Sequence, residues 1–336
     1  MLLLEGSHED GNMKQKMILI MSLVIFLAAC GSSDDGKQVS RQNPFLGGTN
    51  GVMIEYVQNS PPSEVYDGGD SPFNIVLKLK NRGEYFIPKD KVYVELAGFA
   101  PEAFGLTPAA MRVSPQEDLI ATTVDSEGTK IEGNEVYIEF ENLNHEDPIT
   151  GATFTYPTIR ADVCYQYGTV AQSILCSRED LVQPQGEGVC SLSEDKVVFN
   201  SAAPVQITRL RQNPMAKDKI GFQFDVQHLG IDAQGKVFEL GTACEETFRT
   251  YEDKVMVRVT TDRPGLYCSG LIETGTTTST GTIEGAVNLY GGKKMVQCTQ
   301  VIQNPGDFEF PVTIELEYDY QNTVKTSLVV KHAGGI

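Results

Sequence analysis

The 336-residue chain has no tryptophan, only four histidines and too little positive charge. Its 27 lysines and arginines face 45 aspartates and glutamates, for a net charge of −18. Each shortage excludes something. A chain this acidic repels nucleic acid and anionic lipid headgroups, so neither is expected as a general partner. Without tryptophan the commonest sugar-stacking platform is missing, and a glycan site would have to use tyrosine. The histidines form no H-E-x-x-H and no helical i, i+4 pair, and there is no G-x-S-x-G elbow. Gly47-Gly48-Thr49-Asn50-Gly51 is not followed by the lysine and hydroxyl residue of a phosphate loop. No enzyme is therefore expected; one would need an unfamiliar site of carboxylates facing a cleft, as in a glycosidase.

The one long apolar run is Met17 to Ala29. It is too short for a bilayer core that needs about 20 residues. Lys14 and Lys16 precede it, Leu27-Ala28-Ala29-Cys30 ends it, and the polar Gly31-Ser32-Ser33-Asp34-Asp35 follows. Charge, greasy core and small-residue exit stand in the order of a secretory signal. The exit resembles a lipobox. The resemblance implies a signal peptide over residues 1–29, cleavage before Cys30 and lipid on its thiol, so that the membrane is reached through an acyl anchor. Glu5, Glu9 and Asp10 sit where positive charge belongs, which makes Met13 the expected start. Residues 30–48 read as the lipidated cysteine and a flexible spacer rich in Gly, Ser, Asp and Gln.

Beyond Cys30 lie six cysteines: Cys164, Cys176, Cys190, Cys244, Cys268 and Cys298. An even number in an exported chain, without the close C-x-x-C pairs of a metal site, predicts three disulfides.

After the spacer the pattern turns to period two. Phe73, Ile75, Leu77 and Leu79 alternate with Asn74, Lys78 and Lys80; Val92, Val94 and Leu96 with Tyr93 and Glu95; Val136, Ile138 and Phe140 with Tyr137, Glu139 and Glu141. These are half-buried antiparallel strands. Turns are expected at 67–70, 81–83 and 132–134, and short helical turns at Pro101–Gly105 and Thr107–Met111. The second half repeats the first. Phe73–Gly83 matches Ile220–Gly230, Asp90–Leu96 matches Asp253–Val259, and Tyr165-Gln166-Tyr167 matches Tyr318-Asp319-Tyr320, in the same order. Three matches at one wide interval mark a tandem duplication, not a solenoid. The fold class expected is all-β, with two tandem antiparallel sandwiches over 49–185 and 186–336. Strand alternation followed by a closing hairpin in each half resembles the CARDB-like group of immunoglobulin-fold domains on prokaryotic surface proteins. That resemblance implies an Ig-like sandwich in each copy.

Cys164 and Cys176 would flank the turn of the first closing hairpin, which favours pairing them. Cys268 and Cys298 lie on either side of a hairpin expected over Thr282–Val296 with its turn at Gly291-Gly292, leaving Cys190 for Cys244; this is one of 15 connectivities. No cofactor is expected. If calcium binds, its carboxylates come from Asp67 and Asp70 or from Asp125 and Glu127, on turns without the full loop spacing. His145, His228 and His332 read as surface or turn residues. Tyr165, Tyr167, Tyr318 and Tyr320 point inward, whereas Tyr93 and Tyr137 lie outward and suit a contact surface. Thr276–Thr280 reads as an exposed loop. The expected role is a non-enzymatic surface lipoprotein presenting its domains to a surface or envelope protein, in adhesion or assembly. The alternative is a module for a glycan or small solute.

Overall fold

A computed structural model describes residues 42–184, 186, 188–229, 235–272 and 281–334. Cys30, the signal segment, most of the spacer and the Thr276–Thr280 loop lie outside the described residues. Residues 43–336 group as one compact unit.

The fold is all-β. Copy one contributes β1 (Val52–Tyr56), β2 (Glu64–Tyr66), β3 (Phe73–Asn81), β4 (Val92–Ala97), β5 (Arg112–Val113), β6 (Thr123–Val124), β7 (Lys130–Ile131), β8 (Glu135–Leu143) and β9 (Thr153–Ser177). Copy two contributes β10 (Glu194–Lys196), β11 (Phe199–Asn200), β12 (Val205–Ala216), β13 (Lys219–His228) and β14 (Lys236–Phe238). It continues with β15 (Lys254–Thr260), β16 (Leu266–Ser269), β17 (Thr282–Asn288), β18 (Lys293–Val301) and β19 (Phe308–Lys331). The predicted alternation is realised. Ile75, Leu77 and Leu79 of β3 are fully buried, while Lys78 and Lys80 face out and pair with Glu55 at 2.5 Å and Glu132 at 2.7 Å. Pro101–Phe104 and Pro108–Met111 are 3-10 turns, as the prolines favour.

Besides the two-stranded β6-β7 ribbon, three sheets form two layers. β1-β3-β8 is a small sheet of copy one, and β10-β12-β13-β18-β16 is its larger counterpart in copy two. Both share a single long sheet, β17-β15-β19-β9-β4-β5. The closing hairpins expected in each half are absent. β9 runs straight for 25 residues, and β19 for 24, and they pair with each other antiparallel from Thr153↔Lys331 to Ser177↔Phe308. Each long strand therefore serves its own sandwich at one end and its partner's at the other. The reason is visible in parity. Ile159, Ala161, Val163, Tyr165, Tyr167, Ala171 and Leu175 are all buried, so odd positions keep one face through Gly168 and no turn interrupts the ladder. Gly168 is needed for a different purpose: a Cβ there would stand 2.4 Å from the Tyr85 ring lying over the strand.

The register makes the duplication a two-fold. Tyr165 pairs with Tyr320 and Tyr167 with Tyr318, so equivalent residues exchange places about the Gln166↔Asp319 pair. One continuous cluster of buried residues runs through both layers and both copies. The turn at Gly291-Gly292 exists, with φ of +77° and +79°, but does not close a hairpin. β17 pairs with β15 and β18 with β13, so the turn crosses between layers. The end of the predicted spacer is also tied down: the backbone N–H groups of Leu46 and Gly47 donate to the Glu84 carboxylate at 3.0 and 3.1 Å.

Three disulfides cross-link the chain, in a connectivity that keeps only one expected pair. Cys268–Cys298 forms across directly opposed positions of β16 and β18. Cys164–Cys176 and Cys190–Cys244 do not form. Because β9 never turns back, Cys164 and Cys176 lie at separate places along one strand; Cys164 bonds Cys244 and Cys176 bonds Cys190. The Cys164–Cys244 bond joins the two copies.

Gly83 is the tightest glycine at the junction. A Cβ would fall 1.7 Å from the Tyr167 hydroxyl and 2.7 Å from the carbonyl oxygens of both Ala202 and Asn50. Two of these neighbours are backbone, so Gly83→Ala is expected to cost about 3 kcal/mol, the upper range for overpacking, read as a lower urea midpoint at unchanged slope.

Candidate functional site

The two-fold centre brings four tyrosine rings together. Centroids lie 5.7 Å apart for Tyr165–Tyr167, 5.8 Å for Tyr165–Tyr320, 6.3 Å for Tyr167–Tyr318 and 6.2 Å for Tyr318–Tyr320. All four are buried, as alternation predicted. Their hydroxyls need partners in such a place. The backbone N–H of Val52 donates to Tyr165 Oη and that of Val205 to Tyr318 Oη, both at 3.3 Å and in equivalent positions of the two copies. Beside them, Asn322 Nδ2 donates to the Val52 carbonyl at 3.4 Å, where Thr169 Oγ1 donates to the Val205 carbonyl at 2.6 Å. Desolvation raises the phenols of Tyr165, Tyr167 and Tyr318 above their ordinary range, so they act here as neutral hydrogen-bonding groups.

The symmetry then breaks. On one side the Tyr167 hydroxyl donates to the Ala202 carbonyl at 3.2 Å and Gly83 closes over it. On the other a cavity of about 240 Å³ is bounded by residues 49–53, Arg82, Pro204, Tyr165, Tyr320 and Asn322. Tyr320 Oη lies 2.8 Å from His228 Nε2. Burial lowers the His228 pKa, opposed by the charge of Asp253, which leaves the ring neutral near pH 7. The cavity thus offers phenol and amide groups, an imidazole behind them and an exposed arginine at its edge. Such a set can hold a small hydroxylated or carboxylated solute by hydrogen bonds. Alternation located the tyrosines but not the cavity, because its remaining wall comes from four separate places in the chain: residues 49–53, Arg82, Pro204 and Asn322.

The calcium candidates fall into two places. Asp67 is buried and its oxygens accept from the backbone N–H of Ile149 at 2.7 Å and of Ala333 at 2.6 Å, and bond His332 Nδ1 at 2.8 Å. These bonds, Ala333 first, hold its pKa down at about 2. Asp67 is a clamp on the C-terminal end, and Asp70 beside it is exposed. Asp125 Oδ1 accepts from the N–H groups of Glu127 and Thr129 at 2.9 and 2.8 Å, closing the β6–β7 turn. Among the described residues no three acidic, histidine or cysteine groups converge as a metal cluster would require.

The Asp67 clamp has a pH signature. Its folded pKa of about 2 lies below the ordinary 3.8, so the stabilisation is present above pH 4 and lost as pH falls toward 2. Amide exchange at Val330 and Lys331, which pair with β2, is expected to accelerate over that window. Asp67→Asn removes the dependence.

His145 differs from its surface reading. It is buried, with Nδ1 2.9 Å from the Asp147 carbonyl and Nε2 3.2 Å from Tyr156 Oη, packed on Phe104. Tyr93, expected to be available for contacts, is engaged within the protein. Its hydroxyl donates to the Ala243 carbonyl, and the Arg112 guanidinium lies 3.4 Å over its ring. Tyr137 remains outward and 56% exposed.

Compared with known protein families and with curated proteins, the chain matches none. The disulfides mark an oxidising, extracellular environment. Among the described residues no helix is long and apolar enough to cross a membrane.

Proposed function

We propose that this chain is a non-enzymatic surface lipoprotein. Cys30 carries the lipid, the following residues act as tether, and the Ig-like double sandwich is presented for protein–protein contact in adhesion or envelope assembly. The observation that carries the reading is the pairing of a lipobox-like Leu27–Cys30 with three disulfides in one chain. The first fits export and the second a protein built to persist outside the reducing cytoplasm.

Mass spectrometry of the protein from its own membranes tests this. The expected N-terminal peptide begins at an acylated Cys30, and Cys30→Ser is expected to move the protein into the soluble extracytoplasmic fraction. Retention of residues 1–29 with free thiols overturns it.

A second reading rests on the cavity beside Tyr165 and Tyr320: a surface module for a small solute or glycan unit. A panel of monosaccharides, polyols and carboxylates separates the two. This reading expects one of them to raise the melting temperature and Arg82→Ala to abolish the shift.

A further inference from the structure

The two small sheets are equivalent, but they are not equally complete. In copy two, β18 is followed outward by β16, which pairs along Leu266↔Gln300 to Ser269↔Gln297 and is locked there by Cys268–Cys298. β8 occupies the place of β18 in copy one, at the edge of β1-β3-β8, and among the described residues no strand pairs beyond it. The segment that follows β4 in copy one, as β16 follows β15 in copy two, is Pro101–Phe104. It is a 3-10 turn, and its Ala103 and Phe104 carbonyls accept from Glu146 and Asn144, past the end of β8. Along residues 135–141 the outer edge is unpaired among the described residues.

Which groups face that edge follows from β3. The Val76 carbonyl accepts from Val57 N–H, and its N–H donates to Ser60 Oγ, so Val76 turns its backbone toward β1. Its neighbours Ile75, Leu77 and Leu79 then bond β8 through Phe140, Ile138 and Val136. The remaining residues, Glu135, Tyr137, Glu139 and Glu141, turn their N–H and C=O groups to the open side. Their side chains, on the outer face, are all exposed. Glu135 is engaged by Lys80 at 3.3 Å and Glu139 by Asn74 Nδ2 at 2.8 Å, while Glu141 has no partner among the described residues.

From this juxtaposition we infer that the β8 edge is a docking site for an extended segment of a partner protein. The segment adds antiparallel, as β16 does on β18, and carries basic residues at alternate positions opposite Glu139 and Glu141. The inference rests on the interaction reading above and supplies its site and partner class. Strand addition gives affinity through main-chain bonds and specificity through alternate side chains. The acidic row also selects against a second copy of this chain. Two β8 strands meeting antiparallel would set Glu135 near Glu141 and place like charges face to face.

The test uses the mature full-length chain and a nine-residue peptide alternating lysine and valine. In the free protein, the amide of Ile138 is expected to exchange slowly and those of Tyr137 and Glu139 quickly. Saturating peptide is expected to slow Tyr137 and Glu139 at least tenfold. Tyr137→Pro removes one edge-facing donor without touching the β3 ladder and is expected to abolish the protection. Glu139→Lys with Glu141→Lys, both exposed, should exchange the preference to a glutamate–valine peptide. Absent protection at β8, protection at another edge, or binding indifferent to the charge reversal overturns the β8 assignment, as does self-association through β8. Acylation of Cys30 is read independently, so the anchoring proposal and this one fail separately.

Discussion

Replacing Cys164 and Cys244 together by alanine is expected to be the most damaging of the three disulfide removals. The bond closes a loop of 80 residues, against 30 for Cys268–Cys298 and 14 for Cys176–Cys190. On the chain-entropy account the free energy lost is about 4.5 kcal/mol for the first, about 3.5 for the second and about 3 for the third. For a chain of this size the first corresponds to a fall in melting temperature of about 7 °C. The local structure around the bond argues in the same direction. Cys164 and Cys244 are buried together with Phe238, and Tyr93 packs against them. The loop carrying Cys244 is held a second time by Asp319, whose carboxylate accepts from the N–H groups of Gly241 at 3.2 Å and Ala243 at 2.6 Å. Calorimetry of the three double variants checks the order. If C164A/C244A costs less than C176A/C190A, loop closure is not what this bond contributes.

Tyr318 carries the second large effect. Its ring is fully buried at the two-fold centre, and its hydroxyl accepts from Val205 N–H. Tyr318→Ala leaves a cavity where both sandwiches meet and is expected to cost about 4 kcal/mol. Tyr318→Phe keeps the ring and leaves the Val205 N–H without its acceptor, for about 1–2 kcal/mol. Because Tyr165 holds Val52 in the equivalent way, Tyr165→Phe is expected to match it closely. A large difference between the two would assign unequal weight to the copies. The same phenols predict alkaline behaviour. Their folded pKa values are raised by burial, so their stabilising effect is complete below the unfolded value near pH 10 and fades as pH rises beyond it. Phenolate absorbance from these residues is expected to appear with unfolding and not before it.

The outer face of copy one follows a different logic from the core. Lys78 and Lys80 on β3 neutralise Glu55 of β1, Glu135 of β8 and Glu132 just before β8, and these pairs are exposed enough to contribute little to stability. Toward Glu139 and Glu141 the lysines run out. The side of the sheet with no further described strand is also the side that keeps its acidic charge, and the docking proposed at the β8 edge draws its selectivity from this coincidence.

Much of this architecture was legible from residue order. Strict alternation fixed β3, β4, β8, β13 and β15 and their buried faces, because a strand with one wet face cannot shift register by one without exposing its apolar set. The matching segments pointed to a duplication, and the six cysteines beyond Cys30 to three bonds, which form. Pairing was a different matter. A period-two pattern names the face a residue occupies but not the strand beside it, so Ile159–Tyr167 and Thr169–Leu175 read as two arms of a hairpin although the same spacing suits the one long strand that forms. Only the tertiary structure decided, by laying β9 along β19 over their whole length and packing Tyr85 over Gly168. That choice moved Cys164 away from Cys176 and toward Cys244. It also buried His145, engaged Tyr93 and assembled a cavity from distant segments. The sequence by itself determined which surfaces are hidden, since that follows from hydrophobic spacing. Which strands meet, which cysteines bond and which edge stays open depend on long-range pairing, where the free-energy differences belong to the whole sheet and to no local segment.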